Sequence, residues 1–336
     1  MDLIRLVGVR VLLVVPIMVG VATLTFFITR VLAGDPTGLY VPVNATDEFR
    51  DQVRADLGLD QPLAVQYRDF VSGFTRGDLG TSATTRRPVL DDLLDRLPAT
   101  AELALASLVI AVVIGIPVGV IAAVKQDSAV DFALRGVTLV GMALPSFWLG
   151  LVLLLVFFVN LGWLPGPVGR LPIGAAPPPQ VTGLFTVDAL LAGQFGTWWQ
   201  ATRHLILPAV TLGLVGLAPI ARVARNEMVD ALASPYIRTA HATGIRPWRI
   251  YLVYALRNAL LPVVTMIGGV VGFLFSGAIL VESIFGWPGL GQYALAAISR
   301  SDFDALQGFV LWSAGLFVLT YLVVDVLYLV IDPRTR

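Results

Sequence analysis

The sequence predicts an all-α, polytopic membrane protein with six transmembrane helices and a small helical segment outside the membrane after the first span. Its 336 residues are 57% hydrophobic and only 14% charged, whereas soluble domains carry about 25% charged residues. So few charges cannot cover a surface in water, and lipid must be the main solvent. A transmembrane helix needs about 20 apolar residues. Six stretches meet that length, at about 10–31, 101–124, 136–160, 205–225, 259–281 and 307–331.

These stretches divide the chain into four parts. We expect an N-terminal transmembrane helix over 1–32, an extracytoplasmic segment with short helices over 33–100, a five-helix core over 101–331 and a tail over 332–336. A secretory signal peptide is the alternative for the first stretch. Its apolar run is longer than the roughly 7–15 residues of such a signal, and no small-residue cleavage site follows. We therefore predict a span.

The extracytoplasmic segment carries two amphipathic patterns. Thr46 can cap a helix in which Phe49 begins an apolar repeat at every fourth residue, and Gly58 can end that helix. Tyr67 and Phe70 belong to a second apolar stripe at helical spacing. The apolar faces of these helices must be shielded from water. Either a soluble partner docks on them from outside, or the helices pack on the outer ends of the spans, and the pattern supports both interpretations.

Basic residues predict the orientation in the membrane, because short cytoplasmic loops carry an excess of Lys and Arg. Placing the N-terminus inside puts Lys125, Arg135 and the arginines between Arg222 and Arg257 in the cytoplasm. Both termini are then cytoplasmic. The shorter outer loops would hold only Arg170, Arg203 and Arg300. Tryptophans at the predicted outer span ends suggest an interfacial aromatic belt: Trp163, Trp198, Trp199 and Trp287.

Composition excludes several kinds of site. There is no Cys, and the two His are far apart, so we expect neither a disulfide framework nor a metal site. The only lysine, Lys125, lies between Val124 and Gln126, so the chain has no P-loop and cannot hold ATP in that manner. Equal numbers of basic and acidic residues give no sign of a nucleic-acid partner.

An ion-coupled secondary carrier is an alternative that the acidic residues disfavour. Such a carrier needs ionisable groups at membrane depth. Glu102 and Glu282 fall at outer span ends, and Asp325 lies toward the inner end of the sixth span. We expect Asp325 to serve a helix–helix contact rather than proton transfer.

Small residues and prolines mark candidate pathway positions. The fifth stretch contains Gly268, Gly269, Gly272 and Ser276, and the third contains Pro145-Ser146-Phe147. Glycines at such spacing commonly allow helices to approach closely. The alternative hypothesis is that these residues leave room for a translocation pathway.

The loop over 226–258 is the one long predicted cytoplasmic loop. Ser234-Pro235 is a strong helix start, with Ser as the cap and Pro at the first position. Ile237, Ala240 and His241 then share one face, and Gly244 can end the helix. A second short helix is expected near Pro247, with an apolar stripe of Trp248, Tyr251, Leu252 and Ala255. This corner suits either a groove on another protein or the membrane surface, and periodicity does not separate the two.

The same loop resembles the coupling loop of ABC importer permeases, in the version found in dipeptide, oligopeptide and nickel permeases. The match runs from Tyr236 to Gly244, through Trp248-Arg249, and over 255–262. Arg238-Thr239-Ala240 stands where the general loop has Glu-Ala-Ala. Other segments resemble the family in order: Gly77–Ser82, Leu144–Trp148, Leu207-Pro208-Ala209, Phe285–Gly291 and Asp332-Pro333-Arg334.

The resemblance implies a type I ABC importer permease fold and a division of labour between subunits. A homologous second permease subunit, two ATP-binding subunits and an extracytoplasmic substrate-binding protein would complete a transporter in the bacterial cytoplasmic membrane. ATP and Mg would bind the partners, and this chain would have no catalytic residue. Di- or oligopeptides are the expected substrates, with nickel complexes and glutathione as alternatives. The implied ATPase-coupling residues are Ser234, Tyr236, Ile237, Arg238, Thr239, Ala240, His241, Gly244 and Trp248.

Overall fold

The structure, a computed structural model, describes residues 3–32, 36–42, 44–56 and 58–331. These residues form helices and connecting turns without a β-strand, apart from one isolated bridge between Thr81 and Pro88. The α-helices are α1 Leu3–Phe27, α2 Asp47–Asp56, α3 Leu63–Thr75, α4 Val89–Val124, α5 Ala129–Ala143, α6 Ser146–Leu153, α7 Phe185–Leu191, α8 Phe195–Ala233, α9 Pro235–Ala242, α10 Pro247–Arg249, α11 Leu256–Phe285, α12 Leu290–Ser299 and α13 Phe303–Ile331. The predicted tail 332–336 lies outside the described residues.

Five helical stretches within the described residues are long and apolar enough to cross a membrane. They are Leu12–Arg30, Val89–Val124, Phe195–Ala233, Pro247–Phe275 and Phe303–Val323. The helices α5 and α6, the latter prolonged by a π-helical turn to Asn160, meet the same test together but are bent by 106°. Counting this pair as one broken span gives six, and the prediction of an all-α, polytopic membrane protein is confirmed.

Two spans are longer than hydropathy predicts. The helix of the second span, α4, begins at Val89 rather than near residue 101. The helix of the fourth span, α8, covers Phe195–Ala233 rather than 205–225. The additional turns carry charged and polar residues, which hydropathy cannot assign to a span although they continue the helical hydrogen bonding. The boundary expected at residue 100 therefore falls inside α4.

The most extensive helix–helix interface joins α4 to α8, and small residues line it. A Cβ atom added at Gly119 would lie 2.6 Å from the carbonyl oxygen of Ala221 and 2.7 Å from the Cβ of Ala224. At Gly115 the added atom would lie 3.1 Å from the Leu217 carbonyl oxygen. In lipid, helices associate by close van der Waals packing of this kind. The spacing of the two glycines therefore positions α8, from which α9 continues.

The two ends of the spans are named by the short helices found there. We call the end at which α9 follows α8 the α9 end, and the opposite end, at which α12 follows α11, the α12 end. At the α12 end, α12 buries Leu290, Tyr293 and Ala294 against the start of α4 and against α13. The connector before α8, over residues 161–194, is partly helical, since it contains α7.

The segment after the first span packs partly on that span. The Phe49 amide donates to Thr46 Oγ1 at 3.3 Å, so the predicted cap of α2 is confirmed. On α3, the Tyr67 and Phe70 rings lie 5.4 and 5.6 Å from the Phe26 ring of α1. The stripe on α3 therefore covers the first span, whereas α2 buries none of its residues.

Candidate functional site: the corner at the α9 end

The turn that opens the corner differs from the predicted cap. Ser234 has an extended backbone and Pro235 is the first residue of α9, as the sequence predicts. The Ser234 hydroxyl, however, donates to the Ala231 carbonyl at 2.5 Å and accepts no amide of α9. The serine therefore closes the end of α8 rather than capping the helix that follows.

Gly244 ends α9, as predicted, in a left-handed conformation with φ of +74°. The Ile245 amide donates to the Ala240 carbonyl at 3.1 Å, a hydrogen bond typical of a glycine-terminated helix. A Cβ atom added at Gly244 would contact nothing within 4 Å. The glycine is thus required by the backbone and not by packing within this chain.

One side of α9 is anchored in the chain. Ile237 and Ala240 are 2% and 6% exposed and belong to a cluster with Met228 of α8 and Ile250. His241, expected on the same face, is exposed. Two of the predicted coupling residues therefore support the corner from within.

The other predicted coupling residues form an exposed surface, which we call the corner surface. Tyr236 and Trp248 are 41% and 53% exposed, although both are large aromatic residues. The Asn258 side-chain amide donates to the Tyr236 hydroxyl at 2.7 Å and so ties α9 to α11. The corner surface consists of Tyr236, Arg238, Thr239, His241, Gly244 and Trp248.

The second half of the corner is not a separate short helix. Helix α10 begins at Pro247 as predicted, but it continues through a π-helical turn, Ile250–Ala255, directly into α11. The wider turn changes the side-chain register. The predicted stripe is therefore split, with Leu252 53% exposed and Ala255 buried. The corner is therefore continuous with α11, without an intervening loop.

An ion pair that the sequence did not reveal joins α5 to α8 near the corner. Arg225 donates from Nε and Nη2 to the two carboxylate oxygens of Asp131, at 2.7 and 2.6 Å. Bidentate pairs of this type fix geometry as well as adding energy. The pattern Ser128-x-x-Asp131 at the start of α5 is a helix-start signal, but its arginine partner is 94 residues away.

The candidate pathway residues Pro145, Ser146 and Phe147 lie at the break between α5 and α6. Pro145 lacks an amide hydrogen and precedes the first residue of α6, so the helical hydrogen bonding is interrupted there. Phe147 is 42% exposed and the adjacent Trp148 is 45% exposed. The break therefore presents aromatic side chains at the surface of this chain.

The glycine face of α11 is filled by α13. A Cβ atom added at Gly272 would lie 2.5 Å from the Phe317 ring, and one at Gly269 would lie 3.6 Å from the Tyr321 hydroxyl. Gly268 is buried. The geometry of these glycines supports helix packing, the alternative to a pathway. The side chains of Ser276 and Asp325 lie outside the described part of the structure, so their roles stay predictions.

At the α12 end, Glu102 forms a buried ion pair that also escaped sequence analysis. Arg170 Nη2 lies 2.6 Å from Glu102 Oε2, with the side chains 8% and 4% exposed. Arg170 also donates to the Gly183 carbonyl, and its guanidinium lies 3.5 Å above the Phe185 ring. Burial lowers the pKa of Arg170, and the Glu102 carboxylate opposes this shift. This ion pair links helix α4 to the connector that precedes α8.

Together with Glu102 and Arg170, Glu282 forms a polar cluster that reaches the turn between α11 and α12. Its Oε1 accepts from the Thr100 hydroxyl at 2.6 Å, and its Oε2 accepts from the Gln292 backbone amide at 3.0 Å. Trp287 is 1% exposed and donates its indole hydrogen to the Ala99 carbonyl at 2.8 Å. The prediction that Trp287 belongs to an interfacial belt is therefore wrong. Trp163 and Trp199 are 63% and 54% exposed.

Metal-ligating side chains do not cluster in the part of the chain that the structure describes: no group of three or more His, Asp or Glu could hold an ion there. The features that stand out are instead an exposed corner with aromatic side chains at one end and a polar cluster at the other. Together with the spans, they describe a membrane protein with a distinctive surface at each end.

Comparison with known proteins identifies the family. The model for binding-protein-dependent transport system inner membrane components matches residues 115–336, and the model for the N-terminal part of such components matches residues 3–104. The chain belongs to this family of transport-system membrane components. It is accordingly a multi-pass protein of the inner membrane and a permease subunit of an ABC importer.

Named relatives cover nearly the whole chain. It is 45% identical, over 95% of its length and 93% of the relative's, to the probable D,D-dipeptide transport system permease protein DdpB of Escherichia coli (strain K12). It is 43% identical to the di/tripeptide transport system permease protein DppB of Pseudomonas aeruginosa (strain UCBPP-PA14), over 97% of each chain. The glutathione transport system permease protein GsiC of Escherichia coli O6:H1 is 38% identical, also over 97% of each chain.

Proposed function

We propose that this chain is one of two homologous membrane subunits of an importer of peptides, and that an ATP-hydrolysing subunit binds the corner surface. A second ATP-hydrolysing subunit would serve the other permease subunit. The observation that carries the proposal is the corner itself, where α9 buries Ile237 and Ala240 inward while Tyr236 and Trp248 remain exposed. Exposed aromatic residues on a firmly supported element are typical of protein-binding surfaces.

The corner can transmit motion because it is attached to two spans at once. It continues α8 after a single non-helical residue, Ser234, and it runs into α11 through α10. The Tyr236–Asn258 hydrogen bond closes the connection. Closure of the ATP-hydrolysing partners would therefore move α8 and α11 together and expose the transport pathway alternately on each side. ATP and Mg²⁺ bind the partners, and this chain hydrolyses nothing.

The proposal includes an orientation, with the α9 end and both termini in the cytoplasm. The excess of arginine at that end supports it. The α12 end then faces a substrate-binding protein outside the membrane. The exposed residues of α2 and of the connector before α8 are available to that protein.

A matched pair of glycine substitutions tests the corner. Gly244→Arg places a long cation on the corner surface, whereas Gly193→Arg makes the same change at a glycine of similar conformation, with φ of +67° and open space around it, before α8. We expect Gly244→Arg to weaken association with the ATP-hydrolysing subunits at least about tenfold, or about 1.4 kcal/mol, and Gly193→Arg to leave it unchanged. Equal association of both variants with the ATP-hydrolysing subunits would refute the docking role.

Peptides are the proposed substrates because relatives named for dipeptide and di/tripeptide transport match almost the full chain. The relative named for glutathione transport supports a second candidate of related chemistry. Uptake of labelled dipeptide and of labelled glutathione should be compared in proteoliposomes that contain the complete transporter. Dipeptide uptake that depends on ATP supports the first candidate, and uptake of glutathione alone would replace it.

A further inference from the structure

A cleft of about 200 Å³ lies between α4, α5 and α8, near the α9 end. It is separate from the corner surface and from the polar cluster at the α12 end. Its walls combine three arginines with aliphatic side chains. The residues that carry the argument are Arg135, Thr138, Leu139 and Met142 of α5, and Arg222 and Arg225 of α8.

Two of these arginines form no ion pair. Arg225 is held by both carboxylate oxygens of Asp131. Across the part of the chain that the structure describes, no ion pair involves Arg135 or Arg222. The Arg135 guanidinium lies 5.7 Å from the centroid of the Phe132 ring. The cleft is therefore a cationic site with two guanidinium groups that no carboxylate contacts directly.

The cleft changes from charged to apolar with depth. Helix α5 runs away from the α9 end, so Met142 lies about 10 Å deeper than Arg135 at 1.5 Å per residue. Leu139 and Met142 are 58% and 46% exposed, and they present an apolar wall beneath the arginines. Helix α8 runs in the opposite direction, and Arg222 accordingly lies at the shallow end.

We propose that this cleft binds an anionic phospholipid from the membrane leaflet at the α9 end. The lipid phosphate lies between Arg135 and Arg222, and an acyl chain follows Leu139 and Met142. Basic pockets between transmembrane helices on the cytoplasmic side suit anionic headgroups. The proposal rests on the proposed orientation, but not on the docking of an ATP-hydrolysing subunit.

The chemistry of the lining favours a lipid over a transported peptide. A peptide at neutral pH carries an ammonium group as well as a carboxylate, and recognition of both needs a free carboxylate in the site. The Asp131 carboxylate accepts from Arg225 through both oxygens and from the Asp127 backbone amide at 3.1 Å, so it is already occupied. The unpaired charge in the cleft is positive only.

The test uses the assembled transporter in nanodiscs that contain equal amounts of phosphatidylcholine and phosphatidylglycerol. Native mass spectrometry after transfer to detergent counts the lipids that remain bound. We expect the wild-type protein to retain phosphatidylglycerol in preference to phosphatidylcholine. Each basic residue near an anionic lipid surface contributes about fivefold to binding, so Arg135→Gln with Arg222→Gln should lower retention about 30-fold.

Arg257→Gln is the matched control, because it removes an exposed arginine of α11 at the same end of the spans, outside the cleft. It should retain phosphatidylglycerol as the wild-type protein does. The proposal is overturned if the wild-type protein shows no preference for phosphatidylglycerol, a result that does not depend on any variant. It is also overturned if the double variant retains as much phosphatidylglycerol as the wild-type protein. Displacement of the bound phosphatidylglycerol by inorganic phosphate at matched ionic strength would show that the cleft is a site for free anions, and this result also overturns the proposal. Displacement by a transported peptide would reassign the cleft to substrate.

Discussion

Removing Arg170 should destabilise the α12 end, because its partner would remain buried with an uncompensated charge. The two side chains are 8% and 4% exposed, so solvent screens the Arg170–Glu102 pair little. Arg170 also donates to the Gly183 carbonyl at 2.7 Å. Arg170→Met keeps much of the side-chain volume while removing both interactions.

Breaking a buried ion pair in this way costs about 3–5 kcal/mol. An unfolding entropy of about 2.1 cal/mol/K per residue, over 336 residues, amounts to about 0.7 kcal/mol/K. The expected fall in Tm is therefore about 4–7 °C. Replacing both members by uncharged residues, Glu102→Gln with Arg170→Met, should recover at least about 2 kcal/mol, because no buried charge remains.

Thermal unfolding of the purified protein in detergent, followed by tryptophan fluorescence, measures these differences. Arg300→Met is the control, since Arg300 is exposed after α12 and has no ion pair among the described residues. It should change Tm by less than about 1 °C, as for most surface substitutions. A fall of the same size in Arg300→Met and Arg170→Met, or no recovery in the double variant, would refute the reasoning.

Further predictions concern the helix packing, the second ion pair and the orientation. Gly119→Val should cost about 1–3 kcal/mol by forcing α4 away from α8, whereas Gly136→Val, with no atom within 4 Å of the added Cβ, should be neutral in the same unfolding assay. Arg225→Gln removes the ion-pair partner of Asp131, which is 0% exposed, and should cost about 3 kcal/mol; full thermal stability would contradict this. Because the chain has no Cys, single cysteines can be labelled without background. His241→Cys should react only from the cytoplasm and Ile173→Cys only from outside, and the reverse pattern would invert the proposed orientation.

Much of the architecture could be predicted from the sequence, because lipid imposes a simple requirement on each span. Apolar length located the spans, although it did not reveal the break between α5 and α6 within the third stretch. Hydropathy failed where helices leave the lipid, so Val89 was not recognised as the start of α4. The short helix Phe185–Leu191 was missed because a Pro- and Gly-rich context concealed it.

The buried polar contacts could not be predicted, since their partners are distant in sequence. Glu102 and Arg170 are 68 residues apart, and Thr100 and Glu282 are 182 residues apart. The sequence places Thr100, Glu102 and Glu282 near span ends and Arg170 in a loop, but it does not say which of these side chains meet. The corner was easier to predict because its signals, Ser234-Pro235 and Gly244, are local. Even there, the direction of the Ser234 hydroxyl depended on the end of the preceding helix.

Cross-linking from the corner surface tests most directly whether this chain receives work from a nucleotide-hydrolysing partner. A cysteine at position 238, introduced as Arg238→Cys into the cysteine-free chain and treated with a short bifunctional reagent in the assembled transporter, should join the chain to an ATP-hydrolysing subunit. The yield should change when nucleotide binds. A cysteine at position 173 should give no such product. Reaction at position 238 with lipid alone, and no cross-link to that subunit in a transporter that is active, would contradict the account.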